Sequence, residues 1–192
     1  MIIATDKRQS QVNIENHIQI DRESSLGLTL IVANIKPDKM DYAIQKAVEL
    51  GVTTIQPIYT KRSVIKLKSN RLEKKMQHWQ GVMIAACEQS GRTAIPTINT
   101  PCDFEEIFTK YADTTQISML PGSSNKIQEL DLDESASGVS LIIGPEGGFT
   151  DDEEQIMQSN HVKSVNFGKR ILRAETAVVA GITACQMAWG DL

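Results

Sequence analysis

Short apolar runs alternate along this chain with longer segments of helical periodicity. Leu28–Ala33 and residues 53–58, 116–120 and 139–143 are apolar enough to form buried strands. Between the first two, apolar residues recur at helical spacing from Met40 to Val48, after Pro37 and before a terminating Gly51. Strands that alternate with helices in this way are typical of an α/β domain built on a mainly parallel sheet.

Longer helices are predicted at residues 70–90 and at Ala174–Trp189, and a shorter one at residues 102–111. The last helix is apolar over most of its circumference, so we expect it to be buried on several sides. Small residues recur along it at spacings of three and four: Ala174, Ala177, Gly181, Ala184 and Ala188. This stripe fits a tightly packed core helix at least as well as any special role.

The strand 139–143 ends abruptly at Gly144-Pro145-Glu146-Gly147-Gly148. Gly147 and Gly148 lack Cβ atoms, so the backbone there is able to take positive φ and to approach a ligand closely. We expect a branched side chain at Gly147 to fill the space that the ligand uses. A second predicted strand, residues 161–166, ends nearby at another glycine-bearing loop. Ligands of open α/β sheets bind beyond the carboxyl ends of strands, so this stretch predicts a ligand site.

Two other interpretations of Gly144 to Gly148 are an ordinary strand-to-helix turn and a phosphate-binding loop. A phosphate loop is disfavoured because the segment has no Gly-Lys-Ser/Thr ending. The helix that follows is predicted to be capped by Thr150, with Glu153 completing a capping box. It begins with four acidic residues, which would repel a phosphate.

The composition of the chain excludes some classes of protein. The chain has 192 residues, of which 41% are hydrophobic, enough for a substantial core. No apolar stretch is long enough to span a membrane, so we expect no membrane association. The three cysteines and three histidines are scattered, which indicates neither a metal site nor a disulfide framework and fits a cytoplasmic location.

The net charge of -4 argues weakly against general nucleic-acid binding, but the basic residues are clustered. One group contains Lys61, Arg62, Lys66, Lys68, Arg71, Lys74 and Lys75. It fits a solvated helix face or a contact with phosphates equally well. The other contains Lys169, Arg170 and Arg173 and follows the second strand end, which favours a functional role.

Two motifs in order, Gly-Pro-Glu-Gly-Gly-Phe-Thr at 144–150 and Gly-Lys-Arg-Ile-Leu-Arg-Ala-Glu-Thr-Ala at 168–177, resemble a known family. They are similar to the ribosomal RNA small subunit methyltransferase E family of the SPOUT class. Residues 7–10, 40–51 and 88–92 also resemble its patterns. The resemblance implies an α/β fold with a mainly parallel sheet, a C-terminal trefoil knot and helices on both faces. It further implies a methyltransferase domain at residues 28–192, preceded at residues 1–27 by a remnant of a PUA-like RNA-binding domain.

The resemblance implies an S-adenosylmethionine (SAM)-dependent enzyme that methylates N3 of a uridine in 16S ribosomal RNA, with that RNA or the small ribosomal subunit as partner. It also implies a homodimer to which the last helix contributes. The implied cofactor-binding residues are Leu120, Ile143, Gly144, Pro145, Gly147, Gly148, Ile171, Leu172, Thr176 and Ala177. The implied catalytic residues are Arg173 and Arg8. The implied RNA-contacting residues are Arg62, Glu88, Gln89 and Arg92.

Glu175 either helps to remove a proton or complements the dipole of the last helix, and its place in the first turn favours the dipole role. Two alternative functions stay open on the sequence. One is a knotted domain that binds the cofactor but is deficient in catalysis or RNA binding. The other is an enzyme that binds nucleotide phosphates at residues 144–148.

Overall fold

The computed structural model describes residues 2–63, 69–133 and 135–192 of the chain. Lys66 and Lys68 of the first basic cluster therefore lie outside the described residues. The first two strands, β1 (Ile2–Thr5) and β2 (Ser10–Val12), form a separate antiparallel pair. All their residues are exposed.

A seven-stranded sheet forms the body of the molecule, with β5-β4-β3-β8-β7-β9 in order and β6 also paired with β4. Every pairing in it is parallel, as predicted. Its strands are β3 (Leu28–Ala33), β4 (Thr54–Tyr59), β5 (Thr97–Ile98), β6 (Cys102–Asp103), β7 (Thr115–Met119), β8 (Val139–Ile143) and β9 (Lys163–Val165). The sequence did not predict β5 and β6, because two residues are too few to produce a recognisable pattern.

Within the described residues, five helices flank the sheet: α1 (Pro37–Glu49), α2 (Ser69–Ser90), α3 (Ile107–Lys110), α4 (Asp151–Ser159) and α5 (Ala174–Trp189). Two short 3₁₀ helices lie at Phe104–Glu106 and Ile127–Glu129. The single helix predicted at residues 102–111 is wrong, because this segment contains β6, the first 3₁₀ helix and α3.

Side chains of the central strands alternate between two apolar clusters. Leu28, Leu30 and Val32 of β3 face a cluster that also contains residues of α1, α2 and α5. Ile31 and Ala33 face a second cluster, which contains residues of α3 and α4. The period-two alternation thus places helices on both faces of the sheet, as predicted. The trefoil knot stays a prediction.

The helix α5 packs closely against the sheet through its small residues. A Cβ atom added at Gly181 would lie 2.7 Å from Sδ of Met119 and 2.8 Å from a methyl of Leu141. Gly181 therefore lets the helix backbone approach β7 and β8, which supports the core interpretation of the stripe. The stripe becomes less buried toward its end, where Ala184 is half-buried and Ala188 exposed.

Residues just before β3 are attached to the body of the molecule. Ser24 donates a hydrogen bond of 2.8 Å from Oγ to Oε1 of Gln186 in α5, and Leu26 is buried. Glu23 forms an ion pair with Arg92, which follows α2. We therefore propose a domain boundary near residue 21 rather than at residue 27. Within the part of the chain that the structure describes, no helix combines the length and apolar character needed to cross a membrane.

Candidate active site

A cleft of about 720 Å³ opens at the carboxyl ends of four parallel strands, β3, β7, β8 and β9. Its volume lies in the range of cofactor and small-molecule sites. The residues on its walls include Lys36, Lys39, Met119, Leu120, Pro121, Ile143, Gly144, Pro145, Glu146, Gly148, Phe149, Val165, Asn166, Phe167 and Arg170 through Glu175. The predicted ligand site beyond the strand ends therefore corresponds to a real concavity.

The loop at residues 144–148, called the glycine loop below, is a fixed turn. The backbone N–H of Gly148 donates to the carbonyl of Pro145 at 2.9 Å, and Gly148 has a φ of +70°. Glu146 accepts a hydrogen bond of 3.3 Å from the backbone N–H of Lys36, which joins the loop to the segment after β3. A Cβ atom at Gly144 would lie 2.9 Å from the ring of Phe149. Any larger residue at position 144 would thus displace that ring or the loop.

The start of α4 holds the far side of the glycine loop. Thr150 caps the helix and Glu153 completes the capping box, as predicted. Glu153 is buried and also accepts a hydrogen bond of 2.7 Å from the backbone N–H of Lys61. The first turn of α4 contains four carboxylates, so a phosphate at this helix start is electrostatically disfavoured.

Arg62, in the turn after β4, reaches the same loop. Its Nη1 donates to the carbonyl of Gly147 at 2.8 Å and to that of Phe149 at 3.0 Å. The aliphatic part of its side chain lies against Gly147, where an added Cβ would contact Arg62 at 3.4 to 3.5 Å. A Cβ at Gly147 would therefore make ordinary contact with Arg62, and the expectation that a branched side chain there fills the ligand space stays a prediction.

Most of the residues implied as cofactor-binding line the cleft together: Leu120, Ile143, Gly144, Pro145, Gly148, Ile171, Leu172 and Ala177. Gly147 and Thr176 do not line it. Gly147 faces Arg62, and Thr176 is exposed on the outer side of the first turn of α5. The cofactor contacts implied for these two residues stay predictions.

Arg173, implied as catalytic, lines the cleft at the residue before α5. Arg8 lies in the exposed turn between β1 and β2, where its backbone N–H donates to Asp6 at 2.7 Å. It is not among the cleft-lining residues. The structure thus brings only one of the two expected catalytic arginines to the cleft of its own chain.

An ion pair at the cleft joins Lys39 of α1 to Glu175 of α5, with 3.2 Å between Nζ and Oε1. Burial by itself raises the pKa of the Glu175 carboxyl, but its backbone N–H and the Lys39 ammonium outweigh this and hold the pKa below its usual range. Glu175 is therefore ionised at neutral pH and neutralised by Lys39. This arrangement favours a structural role at the helix start over proton removal.

Sequence reasoning did not identify Lys36 and Lys39 as site residues. Both follow β3, whose carboxyl end lies beside that of β8 in the sheet. Ligands of open α/β sheets bind beyond the carboxyl ends of strands, and this applies to β3 as well. The sequence does not show, however, that β3 and β8 are neighbours in the sheet.

The residues implied as RNA-contacting do not lie together. Glu88 and Gln89 are exposed at the end of α2, and Arg92 follows them. The nearby carbonyls of Val48 and Val52, which precede β4, accept hydrogen bonds from Arg92 at 3.0 and 2.8 Å. This places Arg92 at the amino ends of the strands, about 15–20 Å from the cleft, since one five-residue strand separates the two edges.

Arg92 is also largely buried, with a side chain 6% exposed. It forms an ion pair with Glu23, to which both its Nε and its Nη2 donate. Its donors are thus used within the fold. The RNA contact implied for Arg92 stays a prediction. Arg62, the fourth residue of the set, lies at the glycine loop instead.

Comparisons with known proteins assign the chain to a family. The model of the RNA methyltransferase domain matches residues 22–186. The chain is 40% identical over 173 residues to ribosomal RNA small subunit methyltransferase E of Buchnera aphidicola from Schizaphis graminum, covering 88% of this chain and 69% of that protein. It belongs to the ribosomal RNA small subunit methyltransferase E family.

Other relatives agree. The Mesomycoplasma hyopneumoniae protein of the same name is 34% identical over 176 residues, which cover 92% of this chain and 76% of that protein. The crystal structure of the Neisseria gonorrhoeae family member bound to SAM superposes with a TM-score of 0.90 and 35% identity, covering all of this chain and 78% of that one. A Legionella pneumophila protein solved in complex with SAM gives a TM-score of 0.93 at 34% identity, with the same coverage. The resemblance and the SPOUT-type α/β sheet predicted from the sequence are thus confirmed.

Proposed function

We infer that this chain is a SAM-dependent methyltransferase that acts on N3 of a uridine in 16S ribosomal RNA. The observation that carries this inference is the cleft in which the glycine loop and the segment 170–177 face each other. These two segments contain the motifs that the chain shares with the methyltransferase family. The cytoplasm, where ribosomal RNA is assembled into subunits, is the corresponding location.

The cleft fits the cofactor in size and in chemistry. Leu120, Ile143 and Leu172 supply apolar walls, while the glycine loop and the residues before α5 supply main-chain groups within reach of an adenine edge. Acidic side chains at Glu146 and Glu154 and basic ones at Lys36 and Arg170 suit a zwitterionic ligand that also carries a positive sulfonium. When bound, SAM supplies an electrophilic methyl group.

The chain's own contribution is to align the base and to stabilise its charge. Uracil N3 carries a proton that has to leave, and the negative charge that develops is shared by the two neighbouring carbonyl oxygens. Arg173 lies on the cleft wall and is the cation best placed to stabilise that charge. Fixed walls on both sides hold the reacting atoms in line, which is the larger part of the rate enhancement expected here. A uridine paired in RNA has to leave its stack to reach the cleft.

Binding of S-adenosylhomocysteine and of ATP, measured by calorimetry, tests the proposed cofactor. We expect micromolar binding of S-adenosylhomocysteine and none of ATP, because the acidic first turn of α4 repels phosphates. Binding of ATP alone would replace the proposal with a nucleotide-phosphate enzyme. Binding of S-adenosylhomocysteine without methyl transfer to unmodified small ribosomal subunits would favour a cofactor-binding domain without activity.

Arg173→Ala tests the assignment of the stabilising cation. We expect methyl transfer to fall at least about a hundredfold, the loss typical of one charge-stabilising donor. Affinity for S-adenosylhomocysteine should change much less, since the charge develops on the RNA base. Equal losses in cofactor affinity and turnover would show that Arg173 binds the cofactor instead.

We further propose a homodimer that uses the end of α5. Met187 and Leu192 are exposed there, and Trp189 is half-buried in the single chain. Closed two-fold dimers are the commonest assemblies of such domains. Light scattering at micromolar concentration should give about twice the mass of one chain, and Met187→Asp should lower it. A monomeric parent would refute this part of the proposal.

A further inference from the structure

Arg62 was expected to contact RNA, but its described contacts indicate another role. We propose that Arg62 is a positioning residue that holds the glycine loop in its cofactor-binding shape. The proposal rests on the proposed function, because it assigns the loop to the cofactor.

The first observation is where the donor atoms of Arg62 are directed. Nη1 donates to the carbonyls of Gly147 and Phe149, at 2.8 and 3.0 Å. These two carbonyls flank Gly148, which lines the cleft and has a φ of +70°. Holding both carbonyls restrains the Gly148–Phe149 peptide group between them, and both of these residues line the cleft.

The second observation is that the backbone of the Arg62 turn is itself anchored. The N–H of Lys61 donates to the buried carboxylate of Glu153 at 2.7 Å. The same turn is closed by the N–H of Ser63, which donates to the carbonyl of Thr60 at 3.1 Å. Arg62 thus projects from a fixed base, so its side chain is able to fix the loop.

The third observation is the distribution of the other restraints on the loop. Glu146 holds its first half through the N–H of Lys36, and the turn from Pro145 to Gly148 closes it internally. Phe149 packs on the Phe104 ring, with 5.6 Å between centroids. Arg62 restrains the second half, where two adjacent glycines give the backbone its greatest freedom.

These contacts predict a specific effect of Arg62→Ala. The Gly147 carbonyl is exposed, but the hydrogen bond to the Phe149 carbonyl is partly buried. Losing one such bond costs about 1 kcal/mol, so the melting temperature without ligand should fall by only about 2–4 °C. Without Arg62 the glycine loop samples more conformations, so a smaller fraction of the molecules has the loop in its cofactor-binding shape. The apparent affinity for the cofactor falls in proportion to that fraction. We expect S-adenosylhomocysteine to bind about tenfold more weakly to Arg62→Ala.

Arg71→Ala is the matched control. Arg71 lies in the first turn of α2 and is also exposed and basic, but the cleft wall does not include it. Removing its charge should leave the affinity for S-adenosylhomocysteine within about twofold of the parent. Arg62→Lys, which keeps the charge and donors on a differently shaped head group, should bind with intermediate affinity.

Calorimetric titration of the parent and the three variants with S-adenosylhomocysteine decides the matter, with RNA binding measured in parallel. Weaker cofactor binding by Arg62→Ala, partly recovered in Arg62→Lys and absent in Arg71→Ala, supports the positioning role. Unchanged cofactor affinity in Arg62→Ala, with weaker binding of ribosomal RNA, would overturn it in favour of an RNA contact. Failure of the parent itself to bind S-adenosylhomocysteine would instead refute the proposed function.

Discussion

Removing the Arg92 side chain should destabilise the fold rather than impair the cleft. Arg92 is 6% exposed and donates to Glu23 and to the carbonyls of Val48 and Val52. Arg92→Ala leaves the Glu23 carboxylate, itself 20% exposed, without its counter-charge. It also leaves two carbonyls of the α1–β4 connection without that donor.

The size of the loss follows from these contacts. Breaking a buried ion pair by removing one partner costs about 3–5 kcal/mol. The value here should lie near the lower end, because Glu23 keeps hydrogen bonds from the backbone N–H groups of Thr93 and Ala94, at 2.9 and 3.0 Å. We therefore expect Arg92→Ala to lower the free energy of unfolding by about 3 kcal/mol. For a domain of this size that corresponds to a fall in melting temperature of roughly 6–12 °C.

Urea unfolding at neutral pH, followed by circular dichroism, measures this loss. Arg71→Ala removes an exposed arginine and should change the unfolding free energy by less than about 0.5 kcal/mol. Arg92→Ala with parental stability and reduced methyl transfer would refute the structural role and restore the RNA contact that the resemblance implied.

The same ion pair predicts a dependence on pH. Partial burial by itself raises the pKa of Glu23, but hydrogen bonds from Arg92, Ala94 and Thr93 outweigh it and lower the pKa from 4.5 to about 2. Because the folded-state pKa is depressed, the stabilisation is complete above about pH 4.5 and is lost as the pH falls toward 2. Glu23→Gln should therefore be less stable than the parent by about 2 kcal/mol at pH 7, after allowance for solvent screening. The difference should shrink as the pH falls below 4.5, and a constant difference down to about pH 3 would contradict the assignment.

Four further substitutions or reagents test individual packing contacts. Gly144→Ala should weaken S-adenosylhomocysteine binding about tenfold or more in calorimetry, because its Cβ would lie 2.9 Å from the Phe149 ring. Gly138→Ala should lower the unfolding free energy by more than about 2 kcal/mol, since its Cβ would lie 2.1 Å from the carbonyl oxygen of Gly27. Gly81→Ala in α2, where no atom lies within 4 Å of the added Cβ, should instead raise it by about 0.5–1 kcal/mol; a loss of stability there would contradict the open space. Cys185 should resist thiol reagents at pH 8 in the folded protein, because burial raises its pKa to about 12.

Local patterns predicted much of this protein. The apolar runs of β3 and β8 and the capping box at Thr150 and Glu153 are short-range features that tertiary contacts did not override. The two motifs at 144–150 and 168–177 lie close in the chain, and their placement at strand ends predicted the cleft between them. The same motifs indicated the family, to which the comparisons then assigned the chain.

The tertiary structure alone decided which distant residues join each site. Lys39 reaches the cleft because β3 lies beside β8, and periodicity along the chain carries no information about strand order. Arg92 becomes a buried anchor because Glu23, 69 residues earlier, docks against the end of α2. The glycine loop is bound by Arg62, 85 residues before Gly147, which donates to the two carbonyls that flank Gly148. In each case the residue type determines which contacts the side chain is able to make. The partner that it actually contacts is selected by the packing of remote segments, because side-chain direction and long-range pairing depend on the whole fold.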